Sequence, residues 1–186
     1  MRLPSLELLG LVLIVSELTL AFSKRAARAT GKDRFTLPLL WLVISLSIWL
    51  GFELRARVPA GRLPAPHLCY LIGLILFVVG LVLRWWAIIH LGRFFTVSVA
   101  IAQDHELVTT GPYQFVRHPS YTGSFLIFLG FGLCTLNFYS LLAICLPIGA
   151  AFLWRIHVEE AALRENFGER YLAYSGKTRR VIPFLY

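Results

Sequence analysis

Five nearly uninterrupted apolar stretches, residues 3–22, 37–54, 68–91, 120–136 and 138–154, alternate with polar connections along a chain of 186 residues. A bilayer core takes about 20 apolar residues per helix, so each stretch predicts a spanning helix, the fourth and fifth being short ones. Only Asn137 separates those two, which predicts a tight hairpin whose tip stays near the membrane. After Trp154 the run "RIHVEEAALRENFGERYLAYSG" places Ile156, Ala161 or Leu163, Phe167 and Tyr171 at three-to-four spacing. That period predicts a helix that continues the fifth span or lies along the interface, weakened at Gly168 and stopped at Gly176. The fold class expected is therefore all-α: an integral membrane protein with five transmembrane helices in a single membrane domain, 1–186. Residues 1–91 hold the first three helices, and residues 92–186 hold helices 4 and 5 and the C-terminal helix.

Composition agrees with this pattern. At 58% hydrophobic and 15% charged residues, the chain has too little polar surface to cover a water-soluble globule of its size. Lys24, Arg25 and Arg28 follow the first apolar stretch instead of preceding it, so the stretch reads as a retained helix with its N-terminus outside. Alternation then puts residues 23–36, 92–119 and 155–186 on the cytoplasmic side. Of the 18 lysines and arginines, Arg2, Arg55, Arg57 and Arg62 fall outside and the other fourteen, Arg84 included, fall inside. The net charge of +8 is spread over these flanks without a basic tract, which suits anionic lipid rather than nucleic acid. Cys69, Cys134 and Cys145 all lie in apolar stretches with no CxxC spacing, so they read as packing residues, with no disulfide or metal site.

The candidate chemistry is concentrated in the second half. Glu7 and Glu17 stand in the first helix, where a carboxylate is costly; either snorkels to an interface or has a function. Residues 92–119 form a polar loop with a turn at Thr109, Thr110, Gly111 and Pro112, and Pro119 fits the first turn of the fourth helix. Arg155 and Glu159, and likewise Glu160 and Arg164, are four apart and share a helix face. Arg155 directly follows a span, where a guanidinium can grip a carboxylate in bidentate fashion. His118 lies between Arg117 and Tyr121 at the same depth, and reads either as a hydrogen-bonded structural residue or as part of a site.

The segments "HELVTTGPYQFVRHPSYTG", "RIHVEEAALRENFGERYLAY" and the closing "RRVIPFLY" resemble the isoprenylcysteine carboxyl methyltransferase family of membrane enzymes, over residues 92–186. The resemblance implies S-adenosylmethionine as cofactor, bound at the cytoplasmic end of the helices without a Rossmann fold. It implies that His105, Glu106, Leu107, Val108 and Tyr113 form the cofactor-binding loop. His118, Pro119, Ser120 and Tyr121 match its second cofactor-binding segment, Glu159 the glutamate that holds the cofactor, and Arg155 the catalytic, substrate-binding arginine. Near the C-terminus Lys177, Arg179 and Arg180 compete for a further family position, and Arg180 is the expected substrate contact. The acceptor implied is a lipophilic or lipidated carboxylate such as a prenylcysteine, and the short chain looks like a prokaryotic member.

The residue types suit that cofactor. An ammonium, a carboxylate, an adenine and a sulfonium call for one acidic partner, several donors and aromatic walls. Gly130 and Gly132 lie inside an apolar helix and fit helix packing better than dinucleotide binding. Three other readings stay open. A lipid-amine N-methyltransferase would need a base, for which Glu17 or His118 is available. A sterol-reductase-type enzyme using NADPH shares the RHPxY stretch but calls for more basic residues around a 2′-phosphate. A membrane scaffold would leave the dense group of His, Tyr, Glu and Arg without a purpose.

Overall fold

The computed structural model describes residues 3–23, 36–95 and 107–182. Among these, the helices are α1 (Leu6–Ser23), α2 (Thr36–Arg57), α3 (Pro66–Leu91), α4 (Pro119–Cys134), α5 (Phe138–Phe167) and α6 (Glu169–Lys177). Tight 3-10 turns stand at Pro59–Gly61, Gly92–Phe94 and Gly111–Gln114. The described residues form no sheet, only isolated bridges pairing Arg62 with Asn137 and Val116 with Arg179. The all-α expectation holds.

Among the described residues, three helices, Thr36–Arg57, Pro66–Phe94 and Phe138–Phe167, are long and apolar enough to cross a membrane, while α4 is a shorter apolar helix. Their outward faces carry large apolar side chains, with Val82, Leu146 and Ile89 at 64%, 65% and 69% exposure. Such continuous apolar exposure suits lipid as the surrounding solvent.

Local sequence explains the helix boundaries. Pro119 opens α4, where its missing N–H leaves no hydrogen bond unmade. Asn137 caps α5 by accepting from the Ser140 N–H at 3.1 Å, and its Nδ2 donates to the Val58 carbonyl at 2.8 Å. The hairpin tip is thereby buried against the turn after α2. Beyond its apolar stretch α5 continues unbroken to Phe167. One expectation is corrected here: Gly168 does not merely weaken a helix that ends at Gly176. It terminates α5 with φ of 50°, and α6 starts afresh and runs through Gly176 to Lys177. A residue without Cβ adopts that left-handed conformation at little cost, so the chain turns there.

The closest packing joins α3 to α4. A Cβ on Gly80 would stand 2.6 Å from the Gly123 carbonyl oxygen, and one on Gly123 would stand 2.7 Å from that of Gly80. Small residues let the two backbones meet, as in membrane helix pairs generally; Gly130 makes a second such contact with α3 near Gly73 and Phe77. On the other side α2 packs along α5, and Leu6, Leu9 and Leu13 bring α1 onto the core of Phe77, Ile127, Phe131, Ile144 and Ile148. Cys134 is packed in the same core.

A candidate active site where a polar mouth meets an apolar shaft

A cavity of about 720 Å³ opens among α1 to α5. Polar groups gather where residues 107–118, the start of α4 and the C-terminal half of α5 meet: Tyr113, Arg117, His118, Ser120, Tyr121, Arg155 and Glu159, with Tyr174 added from α6. The rest of the wall is mostly apolar, with Leu40, Trp41, Ile44 and Ile48 of α2 and Leu13, Phe128 and Phe152, and it also includes Glu17 and Arg84. The cavity thus has a hydrogen-bonding head and a hydrocarbon-like body.

Arg155 is buried at the junction of these two parts. Its Nε donates to the Tyr121 Oη at 3.0 Å and its Nη1 to the Thr36 Oγ1 at 3.0 Å. Phe152, one turn earlier on α5, packs edge-on against Tyr121 and Phe125 with ring centroids 5.6 and 5.4 Å apart. Tyr121 also meets the His118 ring edge-on at 5.8 Å. The aromatic packing limits the rotamers open to these side chains and so holds the arginine in place.

The two adjacent glutamates of α5 have different surroundings. Glu159 lines the cavity. Glu160 is turned inward, 2% exposed, and receives the Arg117 Nε at 2.9 Å, the Arg180 Nε at 3.0 Å and the Arg164 Nη2 at 3.6 Å. The His118 Nε2, itself buried, lies 3.4 Å from the Glu160 Oε1 without hydrogen-bond geometry. Arg117 further donates to the carbonyls of Ser175 and Thr178. The backbone N–H groups of Arg117 and His118 donate to the carbonyls of Arg179 and Arg180 at 2.7 and 2.9 Å. Glu160 therefore clasps the segment before α4 to the C-terminal segment, and the polar mouth is built on that clasp.

Two phenols complete the mouth. Tyr113 donates to the Ala87 carbonyl at 3.3 Å, and Tyr174 donates to the Tyr113 carbonyl at 2.6 Å. Burial pushes both phenols up, Tyr174 to about 12, and at Tyr113 the Glu159 charge adds to the effect. Both therefore stay protonated donors at neutral pH.

Most residues expected from the sequence converge here. Leu107, Val108, Tyr113, His118, Ser120, Tyr121, Arg155 and Glu159 all line the cavity. Pro119 does not; it is buried as the start of α4. Arg180 is not among the described residues that line the cavity, and its Nε is engaged by Glu160. His105 and Glu106 lie outside the described residues. Sequence reasoning missed Arg117 and Tyr174, whose positions depend on the fold of the C-terminal segment, and the partner of Glu17. That carboxylate is held by Arg84 of α3, Nε to Oε1 at 2.9 Å and Nη2 to Oε2 at 3.0 Å.

Fold and site together define a helical membrane protein with an amphipathic cavity suited to joining a polar ligand to a lipophilic one. The family model of the isoprenylcysteine carboxyl methyltransferase (ICMT) family matches residues 72–165, and the chain belongs to that family. It is similar to protein-S-isoprenylcysteine O-methyltransferase B of Arabidopsis thaliana, 36% identical over 61% of this chain and 58% of the relative. The Xenopus laevis enzyme of that type is 33% identical over 85% of this chain and 56% of the relative. A solved structure of the eukaryotic intramembrane Ras methyltransferase ICMT aligns with a TM-score of 0.63 at 34% identity, covering 78% of this chain and 52% of that one. The chain thus spans a little over half the length of these relatives.

Proposed function

We propose that the protein transfers a methyl group from S-adenosylmethionine to the carboxylate of a lipophilic acceptor such as a prenylcysteine. The observation that carries this reading is a single cavity in which Arg155 and Glu159 stand between a polar mouth and an apolar shaft. The relatives named for isoprenylcysteine O-methylation support it.

The donor set fits the cofactor. Glu159 offers a carboxylate for its ammonium, Tyr113, Tyr121 and His118 offer ring faces and hydrogen bonds, and Leu107 and Val108 close the side of the mouth. Bound there, S-adenosylmethionine would supply an electrophilic methyl group on a sulfonium. The work left to the chain is positioning. A carboxylate with a pKa near 3.5 is already ionised at neutral pH, so no residue need act as a base. Arg155, fixed by Tyr121 and Thr36, orients the acceptor carboxylate for in-line approach, about 3 to 3.5 Å from the methyl carbon. The apolar shaft receives the acceptor's tail and excludes water from the reacting groups. With five spans and the N-terminus outside, the mouth faces the cytoplasm, where the cofactor is found, while the acceptor stays in the bilayer.

Two observations count against the alternatives. Glu17 is engaged in bidentate fashion by Arg84 and His118 points its Nε2 at Glu160, so neither is placed as a base for a lipid amine. Arg84 and Arg117, two of the three arginines that line the cavity, are engaged by glutamates, which weakens a reading that needs several basic groups around a 2′-phosphate. Calorimetric titration of the detergent-purified protein with S-adenosylhomocysteine, with NADPH in parallel, tests the reading. Binding of the first alone is expected; binding of NADPH alone would overturn it.

A further inference from the structure

A second pocket, of about 350 Å³, opens between the segment before α1, the last turn of α2, the start of α3 and the end of α4. It lies at the end of the bundle opposite the polar mouth. Thr36, which opens α2, receives the Arg155 Nη1 at that mouth, and α2 has 22 residues. At about 1.5 Å per residue the helix carries Arg55 about 30 Å away, close to the full thickness of a hydrocarbon core. The methyl transfer described above uses nothing in this pocket.

Three polar side chains come to it from three helices: Glu7 of α1, Arg55 of α2 and His67 of α3. The neighbouring Arg57 shows how a helix-end charge is ordinarily spent, since it pairs with Glu53 on its own helix at 2.7 Å. Arg55 is not spent in that way. Among the described residues neither Arg55 nor Glu7 forms an ion pair and the His67 side chain has no hydrogen bond, although Arg55 and Glu7 stand near enough for their charges to act on each other. The wall that carries Glu7 is held in place: Tyr70 donates from its Oη to the Pro4 carbonyl at 2.5 Å, which ties the segment before α1 to α3. Leu3, Leu6 and Leu136 make much of the remaining lining apolar, and the exposed Leu8, Leu11 and Leu71 continue along α1 and α3 as surface suited to lipid chains.

An acid and a base set apart in one pocket complement a ligand that carries both charges. Where the hydrocarbon of a bilayer ends, groups of that kind are zwitterionic phospholipid headgroups. The Arg55 guanidinium matches the phosphate in charge and in its fork of donors. An ionised Glu7 only accepts hydrogen bonds, so it matches an ammonium that has N–H to donate, which a trimethylated one lacks. The volume lies within the range of about 300 to 1,000 Å³ usual for ligand pockets.

We propose that this pocket binds the phosphoethanolamine headgroup of a glycerophospholipid. Arg55 and His67 hold the phosphate, Glu7 holds the ammonium, and the acyl chains lie along α1 and α3. The proposal goes beyond the methyl-transfer reading and does not rest on it.

The test is native mass spectrometry of the detergent-purified protein titrated with palmitoyl-oleoyl phosphatidylethanolamine, or with the phosphatidylglycerol of the same chains, which lacks the ammonium. The natural chain is compared with Glu7→Gln and Arg55→Gln, both at exposed positions remote from the mouth. Ion pairs at such positions support a preference of about three- to fivefold for the ethanolamine lipid in the natural chain. Glu7→Gln is expected to remove that preference by weakening the ethanolamine lipid alone, and Arg55→Gln to weaken both lipids alike. No preference in the natural chain, a preference that survives Glu7→Gln, or unchanged binding of both lipids by Arg55→Gln would each overturn the proposal. Soluble phosphoethanolamine in excess is expected to leave the lipid bound; its displacement of the lipid would assign the pocket to a free ligand and overturn the assignment to a membrane lipid.

Discussion

The Nε of Arg155 donates to the phenolic oxygen of Tyr121 at 3.0 Å, which ties α5 to α4 where the polar mouth meets the apolar shaft. Removing either end of this bond has a separable consequence. Tyr121→Phe keeps the ring packed on Phe152 and loses only the oxygen that orients the guanidinium. Turnover is expected to fall about tenfold, on the scale of one hydrogen bond to a charged group, with the melting temperature little changed. Steady-state methyl transfer and a thermal melt check this together.

Arg155 and Glu159 are assigned to different ligands. Arg155→Ala is expected to leave S-adenosylhomocysteine affinity within a few-fold and to lower turnover about a hundredfold, as for loss of a bidentate charge-assisted contact. Glu159→Ala is expected to weaken S-adenosylhomocysteine binding about ten- to a hundredfold, the scale of losing one charged hydrogen-bond partner. Calorimetry on both variants separates the roles; loss of cofactor binding in a folded Arg155→Ala protein would contradict the division.

Glu160 is a stability residue. Substitution by leucine would leave Arg117, 10% exposed, facing a buried site without its carboxylate. Breaking a buried pair from one side costs about 3 to 5 kcal/mol, so Glu160→Leu is expected to lower the melting temperature strongly. The double variant Glu160→Leu/Arg117→Leu should recover part of that loss, read by the same melt.

The α3–α4 contact tolerates little volume. Since a Cβ at Gly123 would meet the backbone of Gly80 and Arg84 at 2.7 Å, Gly123→Leu is expected to prevent recovery of folded protein. Gly123→Ala should cost about 1 to 3 kcal/mol, as overpacking does. Gly176 has open space around it, and Gly176→Ala should be tolerated. Size-exclusion profiles and melts distinguish the three.

Much of the site was legible in the sequence because its residues lie in short runs whose neighbours fix their direction. Pro119 sets where α4 starts, and that start carries His118, Ser120 and Tyr121 to one place. The four-residue spacing of Arg155 and Glu159 put both on one face of α5. What stayed hidden depends on contacts far apart in the chain. The pairing of Glu17 with Arg84 needs the rotation of α1 about its own axis, which an almost wholly apolar helix does not reveal. The choice between Glu159 and Glu160 turns on which side of α5 the C-terminal segment covers. Local sequence likewise cannot show that Glu160 engages the Nε of Arg180. Gly168 looked like a weak point because the helical period resumes after it, and only the left-handed turn separates α6 from α5.

Incubation of the purified protein with methyl-labelled S-adenosylmethionine and N-acetyl-S-farnesylcysteine, followed by base treatment of the extracted product, tests the central claim most directly. Label recovered as volatile methanol is expected, since a carboxyl methyl ester is cleaved by base. Label that stays in a base-stable product, or that moves only onto a lipid amine offered in parallel, would contradict carboxyl methylation.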